Sequence, residues 1–201
     1  MEKIHIESDP QGEKNPTVGS FLWELARVII VAFVLMIGFR VFVAEPFIVS
    51  GSSMVPNFHN KEYLVVDKIS YRFADPKRGD VVVFRYPKDT SQYFIKRVVG
   101  LPGERIKIEN GKVIVYNNDN PDGSVLNEPY LPTQDNTFGK SDIVSLGSDE
   151  YYVLGDNRLA SSDSRVWGIL PKHDIVGAAF LRALPISNFG IPSFDPPQLT
   201  K

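Results

Sequence analysis

The 201-residue sequence contains no cysteine. This absence excludes a disulfide framework, a thiolate metal site and a cysteine nucleophile. A strong charge of either sign is also lacking, because 22 basic and 24 acidic residues give a net charge of −2. Nucleic-acid-binding proteins usually carry a strong positive field, which argues against that class. The three histidines lack the spacing of a metal site, and 15 glycines and 15 prolines favour turns and short strands over a helical bundle.

One long apolar run dominates the N-terminal part of the chain, from Phe21 to Phe47. Its uninterrupted centre is too short to cross a bilayer, but the extended run reaches the ~20 residues required. A cleaved signal peptide would favour a small residue where the bulky Phe42 stands, and a core helix would usually show a polar stripe. We therefore interpret residues 21–44 as a transmembrane anchor that follows a polar tail, residues 1–20.

Basic residues lie on both sides of the apolar centre of the predicted anchor. Lys14 and Arg27 precede its centre, and Arg40 follows it. Orientation normally follows from an excess of Lys and Arg on the cytoplasmic side. The charges alone therefore do not settle which end of the anchor faces the cytoplasm.

Residues 45–185 have the pattern of a β domain, and residues 186–201 form a Pro-rich C-terminal tail. The β-branched run Asp80–Tyr86 predicts a strand buried on both faces. Asn110-Gly111 lies between two β-type segments and predicts a type I′ hairpin. Further predicted strands are Leu64–Val66, Tyr93–Val99, Tyr151–Leu154 and Ile175–Arg182. The predicted fold class is mainly β: an antiparallel sheet or barrel-like domain tethered by one N-terminal transmembrane helix.

The segment Ser50–Pro56, just beyond the anchor, combines three serines, a glycine and a proline. Such a tight turn can present a nucleophilic hydroxyl beside backbone amides that bind an oxyanion. Alternatively, the same composition is that of a linker leaving a membrane helix. A Ser-His-Asp triad that uses Ser53 and His59 is a further, weaker hypothesis, because His59 lies in a turn-like segment.

Lys96 lies in a predicted strand, where it shares one face with the apolar Phe94 and Val98. Burial among such neighbours disfavours the ammonium ion, and the resulting neutral amine can accept a proton from a serine. The alternative is a lysine on an edge strand that extends into solvent, with Arg97 on the opposite face.

A third polar segment, Gly155–Arg165, directly follows an apolar strand. Its serine hydroxyls are candidates to orient an amine, and Asp163 can pair with Arg165 or with a neighbouring arginine. Considered alone, the segment also has the composition of a polar loop that is rich in Asx and Ser turns.

The order of these segments resembles the type I signal peptidases, which are membrane-bound Ser-Lys proteases. The resemblance extends from the anchor to Leu184 through SGSSMVP, RGDVVVF, FIKRVVGLPGE and GDNRLASSDSR. Lys96, rather than a histidine, indicates the bacterial and organellar branch. The resemblance assigns the nucleophile to Ser53 and the general base to Lys96. It also implies that Ser161 orients the lysine, that Asp163 and Arg165 form a structural ion pair, and that Arg97 and the Met54 turn support the site.

Gly51 departs from part of this family, in which a serine at that position donates its hydroxyl to the oxyanion. The Ser53 backbone N–H is then one expected donor. A water molecule, the Gly51 or Ser52 amide and the Ser52 hydroxyl stay open as the second.

The resemblance implies an enzyme that needs no metal or cofactor and that cleaves preproteins after a small-x-small sequence. Its expected partners are signal peptides and the lipid bilayer, with no nucleic acid. The site is expected on the trans side: the periplasm, the cell exterior or the thylakoid lumen. A bacterial or thylakoid membrane and the oligomeric state stay open. The alternatives are a self-cleaving Ser-Lys repressor, which would carry an N-terminal DNA-binding motif, and a catalytically silent tethered domain that binds partners.

Overall fold

The computed structural model describes residues 18–42, 44–132 and 137–200. The chain separates into two compact units, of which one ends at Phe39 and the other begins at Arg40. The predicted polar tail lies outside the described residues, except for Val18–Ser20, which begin the first helix.

The helix α1, Val18–Phe42, is a continuous 25-residue element. Its stretch Val18–Gly38 has a mean hydropathy of 2.2 and is long and apolar enough to cross a membrane. The helix therefore fits a single-pass membrane anchor. The predicted anchor ended at Ala44, but that residue begins a strand instead.

The described residues of the second unit form twelve strands in two antiparallel sheets. The strands are β1 (Ala44–Ile48), β2 (Tyr63–Asp67), β3 (Val81–Tyr86), β4 (Asp89–Gly100), β5 (Arg105–Glu109), β6 (Lys112–Tyr116), β7 (Ser124–Asn127), β8 (Val144–Ser145), β9 (Glu150–Leu154), β10 (Leu170–Pro171), β11 (Ile175–Leu184) and β12 (Gln198–Thr200). Short helices α2 (Ser70–Phe73) and α3 (Ser164–Trp167) lie in the connections.

The larger sheet has the order β1-β2-β11-β3-β4-β9-β10, and the smaller has the order β12-β7-β6-β5-β8. β11 comes late in the chain but lies between β2 and β3. It therefore joins the β1–β2 hairpin to the β3–β4 hairpin.

The predicted mainly β, antiparallel fold is confirmed. Asn110 and Gly111 have φ values of 52° and 76° at the tip of the β5–β6 hairpin, the positive angles that a type I′ turn requires. In β3, residues 81–84 are all buried, as the β-branched run predicted. Strands β1, β7, β8, β10 and β12 were not predicted, and β12 lies within the predicted Pro-rich tail, where it pairs with β7.

The hydrophobic core occupies both faces of the central strands. In β9, Tyr151 and Val153 pack against Val82 and Phe84 of the larger sheet. Alternate residues of the same strand pack against the apolar face of β5 and β6. A third cluster lies beneath the β1–β2 connection and contains Val49, Met54, Phe58, Leu64 and Val81. This cluster supports the turn that carries Ser53.

Candidate active site

Ser53 lies in the turn between β1 and β2. Gly51 has a φ of +94°, in the region that favours glycine, and a Cβ built there would have no neighbour within 4 Å. The buried Met54 side chain packs in the core beside Phe58, and the Met54 carbonyl accepts hydrogen bonds from the amides of Asn57 and Phe58. These contacts fix the turn on the core and present Ser53 above it.

The amine of Lys96 meets the Ser53 hydroxyl. Lys96 Nζ lies 2.8 Å from Ser53 Oγ, and it donates a 2.8 Å hydrogen bond to the carbonyl oxygen of Ile95. Phe94 and Val98 pack in the core on the same face of β4, as strand alternation predicts. The structure thus brings together the two residues that the sequence assigned to the reaction.

Burial changes the acidity of this amine. Lys96 is only 4% exposed. Desolvation lowers the pKa of Lys96 to about 8, although the carboxylates of Asp163 and Asp156 act in the opposite direction. At pH values slightly above 7, a substantial fraction of the Lys96 amine is therefore uncharged and can accept a proton.

The loop after β9 binds the Ser53 turn. The Asn157 N–H donates to the Ser53 carbonyl over 3.0 Å, and Asn157 Nδ2 donates to the Ser52 carbonyl over 3.1 Å. A Cβ on Gly155 would lie 2.1 Å from Ser161 Oγ and 2.5 Å from the Ser53 carbonyl oxygen, so glycine is required for this close approach. The sequence did not single out Asn157, because its role depends on contacts with residues about one hundred positions earlier in the chain.

The three residues of this loop that the resemblance singled out, Ser161, Asp163 and Arg165, differ in their contacts. Ser161 Oγ is buried, and no described residue forms a hydrogen bond with it, so the expected bond to Lys96 is not formed here. Asp163 and Arg165 form a two-pronged ion pair, with Nε–Oδ1 and Nη2–Oδ2 distances of 2.7 Å. Asp163 also accepts a 3.0 Å hydrogen bond from the Gly155 N–H. This pair therefore fixes the two ends of the loop.

Arg97 lies on the opposite face of β4 from Lys96. Its guanidinium donates to both carboxylate oxygens of Asp156, at 2.8 and 2.6 Å. Arg97 is 1% exposed and Asp156 is fully buried. The aromatic rings of Tyr130 and Phe194 lie 4.0 and 4.5 Å from the guanidinium carbon. The sequence pointed to Arg97 but did not identify Asp156 or the two rings as its partners.

His59 does not take part in the described contacts of Ser53. Its side chain is 57% exposed, and its Nδ1 lies 3.6 Å from a carboxylate oxygen of Glu62. The Ser-His-Asp hypothesis is therefore wrong for the arrangement seen here. Within the residues that the structure describes, no group of three or more His, Cys, Asp or Glu side chains is arranged to hold a metal ion.

A cleft of about 510 Å³ opens beside the Ser53–Lys96 pair. Apolar side chains from β1, β2, β3 and β4 line most of it, among them Phe47, Ile48, Val49, Leu64, Val83, Tyr93, Phe94 and Ile95. Ser53 and Lys96 also contribute to its lining. A peptide in this cleft would reach both groups.

Comparison with known proteins assigns the family. The family model described as Signal peptidase, peptidase S26 matches residues 22–184. Probable signal peptidase I-1 of Synechocystis sp. (strain ATCC 27184 / PCC 6803 / Kazusa) is 39% identical over 189 residues, covering 90% of this chain and 91% of that protein. Probable signal peptidase I-2 of the same organism is 37% identical over 191 residues, covering 91% of this chain and 82% of that protein.

A crystal structure of a signal peptidase I from Enterococcus faecalis V583 is 26% identical, with a TM-score of 0.43. It covers 52% of this chain and 97% of its own. By class, the protein is a serine endopeptidase. The chain belongs to the signal peptidase family, and its curated relatives are signal peptidases of type I.

Proposed function

We propose that this enzyme removes N-terminal signal peptides from exported preproteins by a Ser53–Lys96 dyad mechanism. The observation that carries the proposal is the 2.8 Å approach of Lys96 Nζ to Ser53 Oγ. Burial of the amine supports it, because the neutral form is the one that acts as a base.

In the first step, neutral Lys96 takes the proton of the Ser53 hydroxyl while Oγ attacks the scissile carbonyl carbon. The tetrahedral intermediate collapses, and the lysine ammonium gives its proton to the leaving amine. Lys96 then deprotonates a water molecule, which attacks the acyl-enzyme. The lysine ammonium returns this proton to Ser53 Oγ as the ester bond breaks and the new carboxyl end is released, so both groups are regenerated. Ser161 Oγ, buried and unpaired among the described residues, is suited to orient the lysine amine between these steps.

The oxyanion needs donors beside Ser53. No described residue accepts a hydrogen bond from the Ser53 N–H, so this amide is available. The Gly51 N–H already donates to Asn60 Oδ1 over 3.1 Å. This bond argues against Gly51 as the second donor and leaves the Ser52 amide, the Ser52 hydroxyl and a water molecule. Removing one such donor typically costs about 3–4 kcal/mol of transition-state stabilisation.

The substrate is a preprotein cut after a small-x-small sequence. Apolar side chains such as Ile48, Val83 and Ile95 line the cleft and favour small apolar residues. In a preprotein with alanine at positions −1 and −3, changing the −1 alanine to phenylalanine is expected to lower kcat/KM by about 100-fold or more. The measurement is cleavage of matched preproteins by the full chain. The control is a preprotein with phenylalanine at position −2. Equal cleavage of the parent preprotein and both variants would contradict the assignment of this cleft as the substrate-binding site.

We further propose that α1 anchors the chain in a bilayer and that the catalytic unit acts on the trans side. Besides the apolar helix, a row of exposed apolar residues crosses one end of the large sheet. Ile48, Tyr63 and Leu184 are opposite one another on β1, β2 and β11. These side chains are suited to contact lipid, which would bring the cleft close to the membrane-embedded part of a signal peptide.

The pH dependence of cleavage tests the identity of the base. Because the pKa of Lys96 is lowered to about 8, kcat/KM is expected to rise about tenfold per pH unit below that value and to level off above it. Initial rates at low substrate concentration between pH 6 and pH 10 provide the measurement. A profile that is already flat above pH 7 would contradict Lys96 as the base.

A further inference from the structure

The C-terminal segment 190–200, which we call the C-terminal strap, lies beyond the residues 22–184 that the family model matches. It is fixed at both ends. Gly190 exchanges two backbone hydrogen bonds with Arg182 of β11, at 2.9 and 3.1 Å, and β12 pairs with β7, with Leu199 opposite Leu126. The strap therefore connects the larger sheet to the smaller one.

Between its two ends the strap contacts the groups around Arg97. The guanidinium carbon of Arg97 lies 4.5 Å from the centroid of the Phe194 ring and 4.0 Å from the centroid of the Tyr130 ring. A cation over an aromatic face is attracted by the quadrupole of the ring, so each of the two rings stabilises the guanidinium. Pro197 lies against Gly79, where a Cβ would be only 2.5 Å away, and the Gly79 carbonyl accepts a 2.9 Å hydrogen bond from Arg97 Nη1.

Two sets of contacts lead from Arg97 to the Ser53 turn. Asp156, which receives two hydrogen bonds from Arg97, also accepts one from Asn57 Nδ2 over 2.8 Å, and Asn57 belongs to the connection that follows Ser53. The residue after Asp156 is Asn157, whose N–H donates to the Ser53 carbonyl. The guanidinium is therefore linked to the turn by continuous hydrogen bonds, in addition to the core contacts of Met54.

Phe194 also reaches the turn through the core. Its ring lies 5.7 Å from the ring of Phe58 and packs on the cluster that contains Met54. Met54 directly follows Ser53. The Phe194 side chain thus supports the Ser53 turn in two ways: it packs on the core cluster that contains Met54, and it contacts the Arg97 guanidinium.

We infer that Phe194 of the C-terminal strap is a positioning residue for the reaction: its ring fixes the Arg97 guanidinium, and through Asp156 it fixes the Ser53 turn. The inference rests on the proposed function, in that Ser53 is the group being positioned. Phe194 does not line the cleft, so it acts on the chemical step and not on peptide binding.

The test compares Phe194→Leu, which keeps an apolar side chain of similar size, with Phe194→Tyr, which keeps the ring. Both are measured in the full chain, with a serine-directed acylating probe to count active sites. Phe194→Leu is expected to lower kcat per active site about tenfold, equivalent to about 1.4 kcal/mol, with KM unchanged within about twofold. Phe194→Tyr is expected to retain kcat within about twofold. Phe73→Leu, at an exposed phenylalanine in α2, is the matched control.

A role in folding alone would lower the thermal midpoint of Phe194→Leu and leave kcat per active site unchanged, and that result overturns the inference. Equal losses in the Leu and Tyr variants, or a rise in KM with kcat intact, overturn it as well. Should Phe194→Leu not fold, Phe194→Met replaces it with the same expectation. Lys96→Met, measured alongside, separates the two claims: an active Lys96→Met refutes the proposed function, whereas an unimpaired Phe194→Leu beside an inactive Lys96→Met refutes only the role of the strap.

Discussion

Replacing Lys96 by methionine is expected to reduce cleavage by about 10⁴-fold or more, because the variant keeps the shape of the side chain and loses the base. Ser53→Ala should produce a loss of the same order, since the two groups act as one unit. Single-turnover cleavage of a preprotein by the purified chain is the measurement. Lys112→Met, at an exposed lysine of β6, is the matched control and should be as active as wild type. Cleavage within tenfold of wild type by either dyad variant would exclude the mechanism.

The same Lys96→Met substitution is expected to stabilise the folded protein near pH 7. Burial lowers the pKa of Lys96 to about 8, whereas the unfolded chain has the ordinary value of 10.5. Below pH 8 both states are protonated, and the folded state bears the full cost of a buried ammonium. The methionine variant should therefore gain about 1–3 kcal/mol at pH 7. Between pH 8 and pH 10.5 the unfolded state binds more protons, so wild-type stability rises and the gap narrows. Urea unfolding at pH 7 and pH 10 measures this change.

Breaking the Arg97–Asp156 pair is expected to have the largest effect on stability. Asp156→Ala leaves a guanidinium that is 1% exposed without its carboxylate. Loss of one partner of a buried ion pair typically costs 3–5 kcal/mol, which corresponds to a fall of about 10 °C in the thermal midpoint for a chain of this size.

Thermal unfolding monitored by circular dichroism measures this fall. The matched control is Glu45→Ala, which breaks the more exposed ion pair with Lys68 and should cost less than about 1 kcal/mol. Similar midpoints for the two variants would show that the buried pair contributes no more than a surface pair.

Much of the β domain could be predicted because its strands carry local patterns. Asn110-Gly111 specifies a type I′ turn because both residues adopt positive φ angles readily. The β-branched run of β3 is typical of a strand that is buried on both faces. Alternation along β4 was enough to predict that Lys96 shares a face with Phe94 and Val98. These features depend on neighbours within one or two strands.

Strand β1 could not be predicted because it contains Glu45 and Pro46, which are unfavourable inside a sheet. Proline is tolerated there because β1 is an edge strand of the larger sheet, and β2 is its single partner among the strands that the structure describes. The position of a strand at an edge is a property of the whole sheet. Composition alone therefore cannot reveal it.

The support of the site was also beyond local patterns. Asn157, Tyr130 and Phe194 contact residues far from them in sequence, and each resembles an ordinary loop residue when its local sequence is considered alone. The family resemblance supplied the roles of Ser53, Lys96 and Ser161. The partners that fix those residues emerge only when the sheets are assembled.

The insertion of β11 between β2 and β3 has a consequence for biosynthesis. Ser53 and Lys96 leave the ribosome well before Ile175, the first residue of β11. Until that strand is translated, the two hairpins that carry Ser53 and Lys96 lack the strand that pairs with both. A nascent or truncated chain that stops before Ile175 therefore contains Ser53 and Lys96 without the strand that joins their hairpins, and we expect such a chain to cleave no preprotein.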